Sequence, residues 1–241
     1  MLKALYEAIR RDAAPTTLEI DGRTYASDSL APVRTPTPEP LTVKTLSAIE
    51  DYLRTNVDGL DGEKLICHVE SPESVAILSA LQGSFDDRKT YIRAKLDKVK
   101  LPLGEWMDAE AFIIAVQACF TESEQDIQPS GRGLVLKYTS SVKTTLENAV
   151  TDDGVSQTVT VRKGIAGAEN TILPNPVSLR PFRTFTEVEQ PASSFVFRVK
   201  DDHGSMKFSL TEADGGAWRA EAMKSIKSWL LDHIPGLNVI A

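Results

Sequence analysis

Asp201, Asp202 and His203 adjoin one another in the segment KDDHG, and carboxylates beside an imidazole are side chains that bind metal ions. With Asp86 and Asp87 they are the candidate set for a protein that binds or hydrolyses small nucleotides against host defence. Neighbouring residues of a hairpin point to different sides, so one tight loop lacks the spaced ligand geometry of zinc and magnesium sites. We therefore interpret KDDHG as a solvated turn and predict no metal, no cofactor and no catalytic residue.

Cys67 and His68 are another group of residues with reactive side chains, and they lie in the apolar run KLICHVE. Adjacent residues of a strand face opposite sides of the sheet, so we predict a structural histidine and a core cysteine. Cys119 lies in a similar apolar run, AVQACF. Because the chain contains neither an HExxH nor a CxxC motif, we do not expect an enzyme.

The pair Gly215-Gly216 precedes a helical pattern, as the glycines of phosphate-binding loops do. Glu212 and Asp214 place two carboxylates beside it, which gives the wrong charge for an anion. We predict that these glycines form a turn and a helix cap.

Basic residues are concentrated in the stretch DDRKTYIRAKLDKVK, residues 86–100. On one face of a strand, Lys89, Tyr91, Arg93 and Lys95 would line up, and with Arg88 they are the candidate surface for single-stranded nucleic acid or an acidic partner. The favoured alternative is an edge strand protected by charge. The net charge of −7 also argues against general nucleic-acid binding, so this partner is possible but not favoured.

The bulk composition indicates a folded protein of the reducing cytoplasm. Hydrophobic residues make up 41% of the 241 residues and charged residues 25%, close to ordinary globular usage. No apolar run approaches the length of a membrane span, and two cysteines do not make a disulfide framework. We expect a cytoplasmic protein with no membrane partner.

Residues 1–40 are predicted to form an N-terminal helix, a hairpin and a proline-rich arm. Apolar spacing indicates a helix at 2–11, and Asp21-Gly22 is suited to the turn of a hairpin at 16–27. The segment APVRTPTPEP holds four prolines and favours extended structure: Pro32, Pro36, Pro38 and Pro40. It is either a connection laid over the surface or an arm that reaches a neighbouring subunit.

Residues 41–241 are predicted to form an α+β body with mixed, mostly antiparallel sheets. The first half has helical patterns at 45–57 and 108–120, the second capped by Asp108, and strand patterns at 64–70, 75–81 and 91–96. A polar loop at 121–132 is the possible boundary between two subdomains.

The second half is predicted to be rich in β-structure, with short ambiguous runs at 134–139 and 142–146. The prolines of LPNPVSLRPF argue against a central strand there, and KDDHGS is predicted to close a hairpin. A helix at 217–233 is expected to bury Trp218, Ala222, Ile226, Trp229 and His233. The tail that contains Val239 and Ile240 is predicted to pair as an edge strand or to insert into a partner.

The order of these segments resembles the YfdQ-like family of phage and prophage proteins over roughly residues 40–235. The resemblance is carried by RKTYIRAKL, GEWMDAEAFIIAV, VKTTLENAVTDDGVSQTVTVRKG, LPNPVSLRPFRTF and FVFRV. It implies an early, non-virion phage protein that acts in the host cytoplasm alongside recombination or host-takeover functions. It supplies no catalytic motif.

These observations favour a non-enzymatic phage protein that acts by self-assembly or by binding a partner. The prolines of the arm and the apolar tail with Val239 and Ile240 are the candidate assembly segments. Self-complementary surfaces commonly produce closed symmetric homo-oligomers, which can be large. The alternative is an accessory of phage recombination or replication that binds single strands through the stretch at 88–100.

Overall fold

A computed structural model of the chain describes residues 2–5, 17–26, 36–83, 85–124, 130–143, 148–152, 157–162, 168–173 and 175–241. The strands are β1 (Thr17–Ile20), β2 (Arg23–Ala26), β3 (Leu41–Val43), β4 (Leu65–Ser71), β5 (Ser74–Ser79), β6 (Thr90–Lys95), β7 (Met107–Asp108), β8 (Phe120–Thr121), β9 (Asn148–Asp152), β10 (Gln157–Arg162), β11 (Ala168–Leu173), β12 (Val177–Pro181), β13 (Ser193–Asp202), β14 (Ser205–Glu212) and β15 (Asn238–Ile240). The helices are α1 (Leu46–Thr55), α2 (Ala109–Cys119), α3 (Gly131–Lys143) and α4 (Trp218–His233), with a 3-10 turn at Gly62–Lys64. The predicted α+β class is confirmed.

The first core lies on one face of a five-stranded sheet with the order β15-β4-β5-β6-β3. The edge strands β15 and β3 run parallel to their neighbours, and the three central strands are antiparallel. Alternate residues of β4 are buried, as period-two patterning requires. Helices α1 and α4 contribute Leu46, Ile49, Ile226 and Leu230 to this core.

The second core lies against a five-stranded antiparallel sheet with the order β7-β14-β13-β12-β8. Helices α2 and α3 contribute Phe112, Val116, Val135 and Tyr138. Several aromatic rings pack edge to face here, including Tyr138 against Phe197 at 5.5 Å between ring centroids. Strands β9, β10 and β11 form a separate antiparallel sheet.

Residues on both sides of 121–132 belong to the second core, since Phe120 and Val135 lie in the same cluster. The boundaries between the segments that form the two cores lie elsewhere in the chain. Residues 41–96 and 218–240 supply most of the first core, and the segment between them supplies the second. The second unit is therefore inserted into the first in chain order.

The local predictions that depend on turns and caps are confirmed. Asp21 and Gly22 have positive φ of 51° and 74° in the β1–β2 turn, and His203 and Gly204 close the β13–β14 hairpin. Asp108 caps α2 by accepting a hydrogen bond from Ala111 N at 2.9 Å. The predicted helix at 2–11 is described only at 2–5, which is helical.

Three predictions for the second half and the C-terminus are corrected. The ambiguous run at 134–139 belongs to helix α3, whose side chains Val135, Tyr138 and Val142 recur at helical spacing and are buried. Strand β12 is not at an edge, because it lies between β13 and β8. Its proline, Pro181, is its last residue. Helix α4 buries Leu230, while His233 is exposed and stacks on half-buried Trp229 at 3.9 Å.

Among the described residues, every helix is too short or too polar to cross a membrane.

Candidate functional site

The basic stretch forms strand β6, and its predicted alignment is wrong at Tyr91. The pairing of β5 with β6 shifts between Ile77 and Leu78, so an extra residue of β6 is accommodated there. Tyr91 packs against the first core, whereas Arg93 pairs across the sheet with Ala76 and keeps its side chain half-exposed. The bulge thus separates the one aromatic residue from the basic side chains it was expected to join.

Strand β6 is also not an edge strand, because β3 pairs with it on the side away from β5. The two arginines of the basic stretch have partners within the chain. Arg93 donates two hydrogen bonds to Glu70 at 3.0 and 3.1 Å, and Arg88 donates to the carbonyl oxygen of Ser79 at 3.0 Å. Lys89 and Lys95 are exposed. A phosphate backbone would have to compete with Glu70 for Arg93.

Two of the candidate metal residues have other partners in the fold. Asp201 Oδ1 accepts a hydrogen bond from Gly204 N at 2.8 Å, which is a turn contact, and Asp86 lies 3.6 Å from the guanidinium of Arg23. Within the described part of the chain, no three His, Cys, Asp or Glu side chains come together as a metal site. The proposed ligands Asp87, Asp202 and His203 therefore do not form the set that a metal-dependent hydrolase needs.

Cys67 and His68 lie on β4 and face opposite sides, as alternation predicts. Cys67 is fully buried in the first core, and His68 is half-buried on the other face. Burial raises the pKa of the Cys67 thiol to about 12, so the nucleophilic thiolate does not form at neutral pH. Burial raises the pKa of Cys119 as well.

Gly215 and Gly216 form the predicted turn, with φ of 62° and 81°. The turn is closed by Asp214, whose Oδ1 accepts a hydrogen bond from Gly216 N at 2.9 Å. The helix that follows has no side-chain cap, because its N-cap residue is Ala217. The predicted turn is confirmed. The Asp214 carboxylate accepts the hydrogen bond of the Gly216 backbone amide, which a bound phosphate would otherwise accept.

Next to this turn lies a buried polar cluster around Arg183, which no local sequence signal predicts. Arg183 is 8% exposed and its Nη1 donates to Glu212 Oε1 at 2.5 Å, while Nη2 donates to Ser193 Oγ. Ser193 in turn donates to Asp214 Oδ2 at 2.5 Å. The guanidinium lies 4.0 Å from the ring centroid of Trp218, so it also makes a cation–π contact.

The cluster holds elements together and does not supply a base. Burial alone would raise the pKa of Asp214, but hydrogen bonds from Ser193 and Gly216 and the charge of Arg183 outweigh it and keep the pKa below its ordinary value. A carboxylate with a lowered pKa is a poor acceptor for the Ser193 proton. Its contacts join the loop after β12, the end of β14 and the start of α4.

The N-terminal arm, residues 1–40, presents apolar side chains that the described chain leaves uncovered. Leu2 is 85% exposed and Leu5 58%, both on the short helix. On strand β1, Leu18 and Ile20 share one face and are 46% and 52% exposed. A two-stranded hairpin is marginally stable alone in water, so these side chains favour a partner surface.

Arg23 of the hairpin contacts the body. Arg23, which pairs across the hairpin with Ile20, lies 3.6 Å from Asp86 and 5.8 Å from the ring centroid of Phe85. Pro36 and Pro38 are exposed, Pro40 is half-buried, and residues 36–40 form neither helix nor strand, whereas Pro32 lies outside the described residues. Strand β3 follows directly as a sheet edge.

The C-terminal candidates occupy the other edge of the same sheet. Val239 and Ile240 lie in β15, which pairs parallel with β4 opposite Cys67 and His68. Val239 packs against the first core, and Ile240 is 51% exposed. The tail is thus an edge strand of its own chain, one of the two predicted alternatives.

Comparison of the chain with models of protein families, with curated proteins and with solved structures finds no match.

Proposed function

We propose that this chain is a non-enzymatic protein of phage or prophage origin that acts by assembling with copies of itself through its N-terminal arm. The observation that carries the assembly is the exposure of four apolar side chains of the arm, Leu2, Leu5, Leu18 and Ile20. Burial of leucine and isoleucine side chains in a partner is favourable by about 1.5–3 kcal/mol each, so four of them support a stable contact. The phage origin rests on the family resemblance alone.

The extended prolines support exchange of the arm between copies. A segment rich in proline is already stiff and extended, so little conformational entropy is lost when it reaches a neighbour. Homo-oligomers close when each copy both gives and receives the same segment. The assembly would form in the cytoplasm of the host cell.

Single-strand binding by the stretch at 88–100 has less support than assembly. Arg93 pairs with Glu70, Lys98 with Glu73 at 2.6 Å, and Tyr91 packs against the core. Binding to single strands relies on exposed aromatic rings as stacking platforms, and this one is partly buried.

Light scattering of the purified chain after size-exclusion chromatography tests the assembly. We expect a mass that is a multiple of 26.4 kDa, and a shift toward 26.4 kDa when Leu18→Ser and Ile20→Thr are combined. The matched control is Glu19→Gln, which changes a residue between them on the opposite face of the hairpin and should leave the mass unchanged.

A native chain that elutes as a monomer at all workable concentrations would contradict the proposal. So would an oligomer whose mass is the same with the Leu18→Ser and Ile20→Thr changes. Circular dichroism of the variant establishes that the body remains folded during the comparison.

A further inference from the structure

An apolar pocket of about 200 Å³ opens at one end of the first core. We call it the leucine pocket, and its lining residues are Leu53, Asn56, Leu60, Gly62, Leu65, Ile234, Pro235, Gly236 and Leu237. They come from the end of α1, the connection to β4, and the segment between α4 and β15. Val57, next to the lining residue Asn56, adds an apolar side chain that is 79% exposed.

The rim of the leucine pocket is fixed by hydrogen bonds. Asn56 has a left-handed backbone, with φ of 43°, and its side chain accepts from Leu60 N at 2.7 Å and donates to Leu60 O at 3.1 Å. On the other side, Leu237 N donates to Ile234 O at 3.3 Å. A pocket held in this way needs little reorganisation to receive a ligand.

The size and lining of the pocket suit an apolar side chain of a protein. Pockets for small molecules usually enclose about 300 Å³ or more and contain convergent polar groups. This pocket is smaller, and leucine, isoleucine and proline predominate in its lining. The occupant is therefore expected to be one or two aliphatic side chains presented by a secondary-structure element.

The chain itself carries such side chains. Leu2 and Leu5 lie three residues apart on a helical segment, so they project from the same side of it, and both are exposed. The two segments have opposite net charge in the sequence. Residues 50–64 contain five acidic residues and two basic ones, and residues 2–11 contain three basic residues and one glutamate.

We propose that Leu2 and Leu5 of one copy of the chain insert into the leucine pocket of a second copy. This inference rests on the proposed function and names the surface that receives the arm. Within one copy the two leucines are exposed and the pocket is open, so the contact is not made in the isolated chain.

Gly62 allows the pocket to be blocked without strain. A Cβ added at Gly62 would meet no atom within 4 Å, and the residue has no positive φ. Gly62→Leu should place a side chain in the pocket, and Gly62→Ala is the matched control that leaves most of it open. We expect Gly62→Leu and Leu5→Asp each to weaken self-association by about tenfold or more in analytical ultracentrifugation.

Cross-linking tests whether the occupant comes from a second copy. Chains carrying Leu5→Cys are mixed with chains carrying Gly62→Cys under mild oxidation, and the native cysteines do not interfere because Cys67 and Cys119 are buried. A covalent heterodimer on a denaturing gel is the expected product.

Two results would overturn the inference and leave the proposed function intact. In one, Gly62→Leu associates as strongly as the native chain while the variant with Leu18→Ser and Ile20→Thr dissociates. In the other, the mixed single-cysteine chains give no disulfide, whereas a chain that carries both Leu5→Cys and Gly62→Cys forms a disulfide within one monomer. A native chain that never associates would overturn both proposals.

Discussion

Gly131 is the position in the second core where a side chain has the least room. Helix α3 begins there against strand β12, and an added Cβ would overlap the carbonyl oxygen of Ser178 and lie 3.1 Å from its carbonyl carbon. The clash is with backbone, so it is not relieved by rotation of a side chain. Glycine is required at this residue by close approach and not by an unusual φ.

We therefore expect Gly131→Ala to lower the free energy of unfolding by about 1–3 kcal/mol, as overpacking does. Urea denaturation followed by circular dichroism measures it. The control is Gly62→Ala, where nothing lies within 4 Å and the change should stay within about 0.5 kcal/mol. Equal effects of the two substitutions would show that β12 and α3 do not pack this closely.

Arg183 is the residue on which the polar cluster depends. Arg183→Met would leave Glu212 without its charge partner and would remove the guanidinium from Trp218. Breaking a buried pair costs about 3–5 kcal/mol, and we expect a loss of this order in denaturant unfolding. Adding Glu212→Gln should recover part of the loss, because the uncompensated charge is then removed.

Arg54→Met is the control for that experiment. Arg54 also pairs with two carboxylates, Glu50 and Asp51, but its side chain is 69% exposed. Exposed pairs contribute at most about 1 kcal/mol, so the control should be nearly neutral. If Arg183→Met cost no more than Arg54→Met, the cluster would have no structural role.

At the scale of elements, the sequence predicted those whose ends are marked by short-range signals. Asp108 caps α2, and Asp21-Gly22 supplies the positive φ values of the hairpin turn. Helix α3 is not predicted because Gly131 is typical of a loop and its two valines and its threonine favour strands. The spacing of Val135, Tyr138 and Val142 at i, i+3 and i+7 was the signal that could have found it.

Strand β15 gives a prediction at this scale, because its two apolar residues face different surroundings. Val239 packs against the first core and Ile240 is half-exposed. We expect Val239→Ala to lower the free energy of unfolding by about 1–2 kcal/mol and Ile240→Ala to change it by less than half as much. Thermal denaturation of both variants measures the difference.

Light scattering of the same two variants separates the roles of the tail. Because β15 is already paired with β4, we expect neither variant to change the mass of the native assembly. A drop in mass for Ile240→Ala alone would assign the tail to the contact between copies.

At the scale of the whole molecule, the loop between β12 and β13 joins the two cores. The loop leaves the second sheet, yet its side chains Phe185 and Val188 are buried in the first core. Thr184 donates to the carbonyl oxygen of Pro72 at 2.6 Å, and Glu187 accepts from Leu46 N at 2.8 Å at the start of α1. The two units therefore share contacts through this loop.

These long-range contacts could not be predicted from one sequence. The Arg183 cluster gathers residues from 183 to 218, and the loop reaches α1 across more than a hundred residues. In the sequence this loop reads as charged residues and prolines between strands, RPFRTFTEVEQP, without apolar periodicity. The predicted basic surface was wrong at Tyr91 for a related reason, since a β-bulge has no clear local signal there.

Phe185 tests whether the loop makes the two cores one cooperative unit. Phe185 is fully buried, and Phe185→Ala should cost about 3–5 kcal/mol by leaving a cavity. Since the lost contact lies between the units, we also expect unfolding to separate into two steps. In a Trp106→Phe background, tryptophan fluorescence reports on Trp218 and Trp229 of α4 alone, and it should then change before the circular dichroism signal is fully lost.

Ile49→Ala is the matched control, because Ile49 is equally buried in the first core but lies on α1, outside the inserted unit. It should lower stability by about 2–5 kcal/mol while the two signals still change together. Coincident transitions in Phe185→Ala would mean that cooperativity is carried elsewhere, and the Arg183 cluster would be the next junction to remove. Separate transitions in Phe185→Ala alone would establish that a loop of the inserted unit makes the two cores unfold as one.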